Sequence, residues 1–185
     1  MTRTLVLGGA RSGKSVHAER LALAGGKQCI YLATALAGDA EMAARIAHHR
    51  ARRDAGWITV EETLALGDAL LRWCAADRVV VVDCLTLWLS NLLFSGAEAL
   101  PEHGVIDPPP AFGAQRDALL DALEQVRGDL ILVSNEVGLG VVPAGAVSRW
   151  FVDEAGRLNQ AVAARCDKVV FVAAGLPLVL KGDPC

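Results

Sequence analysis

Short apolar runs alternate along the chain with longer stretches of helical character. The segment Arg78 to Asp83 contains four consecutive valines, a pattern typical of a strand that is covered on both faces. Repeated alternation of strands and helices predicts an α/β fold with a mostly parallel sheet flanked by helices. We predict strands at residues 4–8, 29–33, 58–61, 78–83, 130–134 and 168–173. Helices are predicted at residues 14–24, 40–53, 64–75, 86–94, 115–127 and 147–165.

The chain has 185 residues, a length that suits one domain with a substantial hydrophobic core. No internal repeat or low-complexity tract divides it, so residues 1–185 are predicted to form a single domain. The segment Ser95 to Phe112 interrupts the alternation, because it contains Pro101 and the run Pro108-Pro109-Pro110. We predict a long loop there, and long loops in compact domains are often lids or partner surfaces.

Composition narrows the classes of function. Hydrophobic residues make up 53% of the chain and charged residues 21%, which argues against a disordered protein. The formal net charge is −3. A broad nucleic-acid surface needs a basic excess, and none is present. We therefore expect no nucleic-acid partner.

The cysteines and the apolar runs indicate a cytoplasmic location. The five cysteines are widely spaced and form no Cys-x-x-Cys pair, which argues against a disulfide framework and against a zinc site. The N-terminus lacks the layout of a signal peptide. The most apolar run, Val79 to Phe94, is interrupted by Asp83, Ser90 and Asn91 and is short for a membrane span. We expect no membrane span.

A phosphate-binding loop is the strongest chemical signal in the sequence. The pattern G-x-x-x-x-G-K-[ST] is matched in full, after an apolar strand and before a helix. Glycines bring backbone N–H groups close to phosphate, and the helix N-terminus adds its positive end. The lysine is expected to reach the outer phosphates, and the serine hydroxyl to bind Mg²⁺. The motif consists of Gly8, Gly9, Ala10, Arg11, Ser12, Gly13, Lys14 and Ser15.

An acid at the end of a buried strand is the second half of such a site. Asp83 follows the four valines and is expected to hold Mg²⁺ directly or through water. The competing interpretation is a strand-end aspartate that caps the next helix. Together the loop and the acid indicate a nucleotide and its phosphates, but P-loop folds include motors, switches and kinases.

Two adjacent histidines lie on the predicted helix at residues 40–53. With Glu41 at 0° and steps of about 100° per residue, Met42 and Ile46 define the packed stripe. His49 then lies at about 80°, on the border between that stripe and the polar face. A neutral imidazole is a good nucleophile toward phosphorus near neutral pH. The local sequence alone favours the simpler interpretation, an ordinary solvated, charged helix face with two ordinary histidines.

A loop rich in glycine follows the strand at residues 130–134. The segment Asn135 to Pro143 contains Gly138 and Gly140, and ligands in open α/β sheets bind at the carboxyl ends of strands. The next predicted helix has polar residues that suit either a binding surface or a solvated face. These residues are Arg149, Asp153, Arg157 and Asn159.

These motifs, taken together, resemble the bifunctional adenosylcobinamide kinase / adenosylcobinamide-phosphate guanylyltransferase family of cobalamin biosynthesis. The similarity runs from about Thr4 to Lys181, and this ordered set is far more specific than a P-loop alone. In chain order the motifs are Gly8-Gly9-Ala10-Arg11-Ser12-Gly13-Lys14-Ser15, Tyr31-Leu32-Ala33-Thr34, Glu41-Met42 with His48-His49-Arg50, Asp83-Cys84-Leu85-Thr86 with Asn91-Leu92-Leu93, Asn135-Glu136-Val137-Gly138 with Pro143, and Gly156-Arg157-Leu158-Asn159-Gln160.

The resemblance implies two reactions. The first transfers the γ-phosphoryl group of ATP or GTP to the aminopropanol hydroxyl of adenosylcobinamide. The second transfers GMP from GTP to that phosphate, giving adenosylcobinamide-GDP and pyrophosphate. By the family's motif, the second reaction proceeds through a guanylylated histidine that corresponds to His49. The resemblance also implies a single-domain P-loop NTPase fold of the RecA type, Mg²⁺ as cofactor, a corrinoid substrate and a homotrimer.

The family's nucleotide contacts are carried over position by position. Lys14 is the catalytic cation of the loop, and Ser15 and Asp83 are the metal ligands. Two departures from the family pattern are Leu36, where many relatives have a polar residue, and Asp83, where a glutamate also occurs. The implied nucleotide contacts are Gly8 to Ser15, Leu32, Ala33, Thr34, Arg50, Ala51, Arg52, Arg53, Glu61 and Asp83.

Two other functions fit part of the same pattern. A simple P-loop kinase of a small metabolite needs the loop and Asp83 but not His49. A nucleotide-dependent switch or binding protein needs only slow hydrolysis. Retention of the GTP α-phosphate on the protein or on a corrinoid distinguishes the bifunctional enzyme from both.

Overall fold

Across the residues that this computed structural model describes, the sheet contains six parallel strands and one antiparallel edge strand. Residues 1–35, 56–96 and 100–183 are described. Within them the strand order is β3-β2-β4-β5-β1-β6-β7, and only β7 is antiparallel to its neighbour. The strands are β1 (Arg3–Gly8), β2 (Gln28–Ala33), β3 (Ile58–Glu61), β4 (Arg78–Asp83), β5 (Asp129–Asn135), β6 (Lys168–Ala173) and β7 (Leu176–Lys181).

Helices cover both faces of the sheet. They are α1 (Lys14–Ala24), α2 (Leu66–Trp73), α3 (Leu85–Leu93), α4 (Ala111–Gln125) and α5 (Ala146–Arg165). On β4, Val79 and Val81 pack on the side of α1, whereas Val80 and Val82 pack on the side of the other helices. All four valines are buried. The mostly parallel α/β sheet predicted from the sequence is therefore confirmed, and the parallel strands direct their carboxyl ends to one edge.

Two elements differ from the sequence prediction. Helix α4 begins at Ala111 rather than at residue 115, because Pro110 already has helical backbone angles and proline suits the start of a helix. Strand β7 was not predicted at all. It follows a two-residue turn in which Ala174 and Gly175 both have positive φ, the geometry that joins tight hairpins. The predicted helix at residues 40–53 lies outside the described residues.

Candidate active site

The phosphate-binding loop joins β1 to α1 at the carboxyl edge of the sheet. A Cβ on Gly8 would lie 2.5 Å from the Val172 carbonyl oxygen, and Gly13 has a φ of +96°, so neither position accommodates a side chain easily. The Lys14 ammonium donates to the Gly9 carbonyl oxygen at 3.1 Å and therefore lies over the loop. Ser15 lies in the first turn of α1 and is half-buried.

The unpredicted hairpin supports this loop from the side. The backbone N–H of Gly175, in the turn between β6 and β7, donates to the Ser12 carbonyl oxygen at 2.8 Å. A Cβ on Gly13 would meet the Gly175 Cα at 3.1 Å. The loop thus packs against the hairpin turn, and a side chain at Gly13 would press against that turn.

Asp83 ends β4 at the same edge, and a neutral donor binds it. The Tyr31 hydroxyl donates to Asp83 Oδ2 at 2.9 Å. Among the described residues, Asp83 Oδ1 and the Ser15 hydroxyl have no hydrogen-bond partner in the protein. The two groups predicted as metal ligands therefore have oxygen lone pairs to which no described residue donates.

Thr34 binds the backbone on both sides of the peptide bond that follows Asp83. Its hydroxyl accepts from the Cys84 N–H and donates to the Cys84 carbonyl oxygen, each at 2.8 Å. Its own N–H donates to the Asp83 carbonyl oxygen at 3.2 Å. The Asn91 amide donates to the Thr34 carbonyl oxygen at 2.7 Å. Thr34 is fully buried, so its hydroxyl is occupied by the protein's own backbone.

A second polar contact connects the end of β5 to the start of α3. The Asn135 amide donates to the Thr86 hydroxyl at 2.6 Å, and the Cys84 thiol lies 3.2 Å from the same hydroxyl. Burial, together with the neighbouring Asp83 charge, raises the pKa of the Cys84 thiol to about 11. Asn135 is aligned with Gly8 across the β1–β5 pair. This contact therefore joins β5, the neighbour of the phosphate-loop strand, to the helix that follows the acid-bearing strand.

The glycine-rich loop after β5 also lies beside the phosphate loop. The Glu136 N–H donates to the Gly8 carbonyl oxygen at 3.1 Å, and the Glu136 carboxylate accepts from the Gly138 N–H. Arg149 donates to the carbonyl oxygens of Pro143 and Ala144, so this helix residue supports the loop. Arg157 pairs with Glu154, Asp153 is exposed, and the buried Asn159 amide donates to the Asn135 carbonyl oxygen.

The remaining residues predicted as nucleotide contacts fall into three groups. Leu32 is fully buried in the core, and Ala33 and Glu61 lie opposite each other at the ends of β2 and β3. His48 and the predicted site residues His49, Arg50, Ala51, Arg52 and Arg53 lie outside the described residues. Tyr31 had no predicted role, although its position in a motif next to a strand end was visible in the sequence.

A full phosphate-binding loop and a strand-end acid on a mostly parallel sheet define a P-loop nucleotide-binding protein. Solved structures support the fold alone. The flagellar accessory protein FlaH from Methanocaldococcus jannaschii is 13% identical, with a TM-score of 0.53 over 98% of this chain and 79% of that one. An ATPase from the type III secretion system of pathogenic bacteria is 13% identical, with a TM-score of 0.50 over 96% of this chain and 56% of that one.

Sequence comparison identifies the family. Residues 4–180 match the family described as cobinamide kinase / cobinamide phosphate guanyltransferase, and the chain belongs to this family. The bifunctional adenosylcobalamin biosynthesis protein CobP of Pseudomonas aeruginosa is 55% identical over 98% of this chain and 99% of its own length. The bifunctional adenosylcobalamin biosynthesis protein CobU of Escherichia coli is 40% identical over 96% and 98%, respectively. The resemblance inferred from the motifs is thus confirmed.

The described residues contain neither a candidate membrane-spanning helix nor a candidate cluster of metal-binding side chains. No helix there has the length and apolar character needed to cross a membrane. No group of three or more histidine, cysteine or acidic side chains there is arranged to hold a metal ion.

Proposed function

We propose that the chain phosphorylates adenosylcobinamide with a nucleoside triphosphate and then transfers GMP from GTP to adenosylcobinamide phosphate. The observation that carries the proposal is the joining of a complete phosphate loop to Asp83 at one sheet edge, in a member of this family. In the first reaction the aminopropanol hydroxyl attacks the γ-phosphorus, and the nucleoside diphosphate leaves. The loop amides and Lys14 neutralise the charge that develops on the phosphoryl oxygens.

Mg²⁺ fits the residues that would hold it. The Ser15 hydroxyl and Asp83 Oδ1 are oxygen donors without protein partners among the described residues, and oxygen is the donor that Mg²⁺ prefers. A site with few protein ligands also suits Mg²⁺, which keeps several waters and binds substrate phosphates. Bound there, the ion would neutralise phosphate charge.

The second reaction is proposed to use His49 as a nucleophile. A nitrogen of His49 forms a bond to the α-phosphorus of GTP, and pyrophosphate leaves. A phosphate oxygen of adenosylcobinamide phosphate then attacks the same phosphorus, and the His49 nitrogen is the leaving group. GMP is thereby transferred to the corrinoid phosphate. Dividing the transfer into two in-line displacements replaces one difficult step by two easier ones. The support for His49 is its match to the family motif and its border position in the predicted helix.

Labelling with GTP that carries ³²P at the α-phosphate tests this route. Wild type, His48→Ala and His49→Ala are incubated with Mg²⁺ and the labelled nucleotide and run on a denaturing gel. We expect acid-labile label on the wild type and on His48→Ala, and none on His49→Ala. GTP labelled at the γ-phosphate is the control and should leave no label. Unlabelled wild type at saturating GTP would favour a simple kinase or a switch.

A homotrimer is proposed from the family resemblance, and one surface supports it. Leu176, Leu178 and Leu180 alternate along the edge strand β7, so they project on one face, and they are 72%, 60% and 57% exposed. An exposed apolar row on an edge strand is typical of a surface that meets another chain. Sedimentation equilibrium of the wild type should give three times the chain mass. A monomer at micromolar concentration would contradict the proposal.

A further inference from the structure

We propose that Tyr31 is a positioning residue that orients the Asp83 carboxylate for the metal–nucleotide complex. The inference rests on the metal role proposed for Asp83, and it assigns Tyr31 no contact with substrate. Tyr31 is the only tyrosine in the chain. Its hydroxyl, and not only its ring, makes a specific contact, a hydrogen bond to Asp83.

The side-chain geometry connects the two neighbouring strands. Tyr31 lies opposite Val81 in the β2–β4 pair, and Asp83 follows two residues later on the same face of β4. The hydroxyl donates to Asp83 Oδ2 at 2.9 Å, and the Tyr31 side chain is 5% exposed. A hydrogen bond from a hydroxyl to a carboxylate is charge-assisted and stronger than one between neutral groups. It holds one carboxylate oxygen and leaves the other directed elsewhere.

The tyrosine ring is itself held in place. The ring packs edge-on against Trp57, with ring centroids 6.2 Å apart and an interplanar angle of 73°, an arrangement that aromatic pairs favour. Tyr31 also belongs to the buried cluster on the α1 side of the sheet. A rigid donor restricts the rotation of the carboxylate more than a mobile one would.

The same segment of β2 holds the backbone of the acid. The Thr34 N–H donates to the Asp83 carbonyl oxygen, and the Thr34 hydroxyl makes two hydrogen bonds to Cys84. Asp83 is therefore fixed at its main chain by Thr34 and at its side chain by Tyr31. Loss of a group that orients a metal ligand typically weakens metal affinity about 10–100-fold.

The test measures how Mg²⁺ strengthens the binding of a fluorescent GDP analogue. Wild type, Tyr31→Phe, Asp83→Ala and the double variant are titrated with Mg²⁺, and each is also measured in EDTA. For Tyr31→Phe we expect the Mg²⁺ concentration at half-effect to rise about tenfold, with binding in EDTA within about twofold of wild type. The double variant should equal Asp83→Ala. Thr59→Val, which removes an exposed hydroxyl from the strand opposite Tyr31, is the matched control and should match wild type.

A spectroscopic measurement tests the same contact without a substitution at Tyr31. Growth on 3-fluorotyrosine labels Tyr31 alone, since no other tyrosine is present. We expect its ¹⁹F resonance to move when Mg²⁺ is added at constant GDP, and to stay fixed in Asp83→Ala. A ¹⁹F chemical shift that does not change with Mg²⁺ in the wild type would overturn the inference. This holds even if Tyr31→Phe proves too unstable to titrate.

The outcomes separate the inference from the proposed function. If Asp83→Ala leaves the Mg²⁺ dependence unchanged, the metal role of Asp83 fails, and the inference fails with it. If Asp83→Ala weakens the dependence but Tyr31→Phe does not, only the inference fails. If Tyr31→Phe weakens binding further in the Asp83→Ala background, Tyr31 acts through packing rather than through the carboxylate, and the inference is wrong.

Discussion

The carboxylates at the two ends of the parallel strands differ in what binds them. At the amino end, Asp129 Oδ2 lies 2.7 Å from the Lys27 ammonium, and Oδ1 accepts from the Thr2 N–H at 2.8 Å. At the carboxyl end, Asp83 accepts a hydrogen bond from a neutral tyrosine hydroxyl. The Asp129 carboxylate is paired with a lysine, whereas the Asp83 carboxylate has no cationic partner among the described residues. The partners of the two acids, more than their burial, therefore support the metal role proposed for Asp83.

The pKa directions support this contrast. Burial alone would raise the pKa of Asp129, but the Lys27 ammonium and the Thr2 N–H outweigh it and hold the pKa below its ordinary value. The Arg3 N–H and guanidinium likewise lower the pKa of Asp167, just before β6. Both groups stabilise the fold in their charged form, as expected of structural ion pairs.

The largest expected difference is in catalytic activity, between substitution of Lys14 at the carboxyl end of the parallel strands and substitution of Lys27 at their amino end. Lys14 donates to a backbone carbonyl oxygen and is proposed to bind phosphate, whereas Lys27 is paired with Asp129. Lys14→Met should lower kcat/KM for both reactions about 100-fold or more, because one charged donor to the transition state is lost. Steady-state kinetics with adenosylcobinamide and with its phosphate measure this. Lys27→Met is the control, with kcat/KM within about twofold; a comparable loss there would break the comparison.

Thr34→Val tests the neutral hydrogen bonds of the carboxyl end. Valine has nearly the same shape but leaves the Cys84 N–H without a partner in the core, whereas the Cys84 carbonyl oxygen still accepts from the Trp88 N–H. One buried unsatisfied group costs about 1–3 kcal/mol, so thermal unfolding should occur about 2–12 °C lower. Calorimetry of Thr34→Val against Thr59→Val checks this. Equal melting temperatures for the two variants would mean that the Thr34 hydroxyl contributes little.

The sequence was sufficient for features that depend on local pattern. Buried strands such as β4 are visible as apolar runs, and the phosphate loop is a contiguous motif whose spacing alone specifies its chemistry. Asp83 was found because it directly follows a buried strand. The structure confirms the sheet and the position of the loop between β1 and α1.

The features that escaped prediction depend on pairing or on unusual backbone angles. Strand β7 needs two consecutive residues with positive φ, and Ala174 gives no sign of this in the sequence. The bond from Tyr31 to Asp83 joins residues 52 positions apart, so it depends on β2 lying next to β4. The catalytic role of His49 stays a prediction for the same reason, because its neighbours in space are not given by spacing along the chain.

Asp129→Asn tests the amino end and should have a smaller effect. The substitution removes the charge that Lys27 and the N-terminus share, at a cost of about 1 kcal/mol near pH 7. Because the folded pKa of Asp129 is lowered, its stabilisation is present above the unfolded pKa and is lost as pH falls through the folded pKa. Urea unfolding should show a smaller difference in the free energy of unfolding between wild type and Asp129→Asn at pH 3 than at pH 7. Asp117→Asn, on an exposed pair with Arg116, is the control and should show little change at either pH.

Cys84 gives the smallest expected effect in this comparison, since it lies next to Asp83 yet should not react. Its thiol is buried and has a pKa raised to about 11, and only the thiolate is a strong nucleophile. At pH 8 the folded protein should therefore show almost no iodoacetamide modification at Cys84 within an hour. Mass spectrometry of the peptide containing Cys84, with and without urea, measures this. Rapid modification of the folded protein would mean that the carboxyl end of β4 opens to solvent, and the negative charge of Asp83 would then be screened by water rather than kept for a ligand.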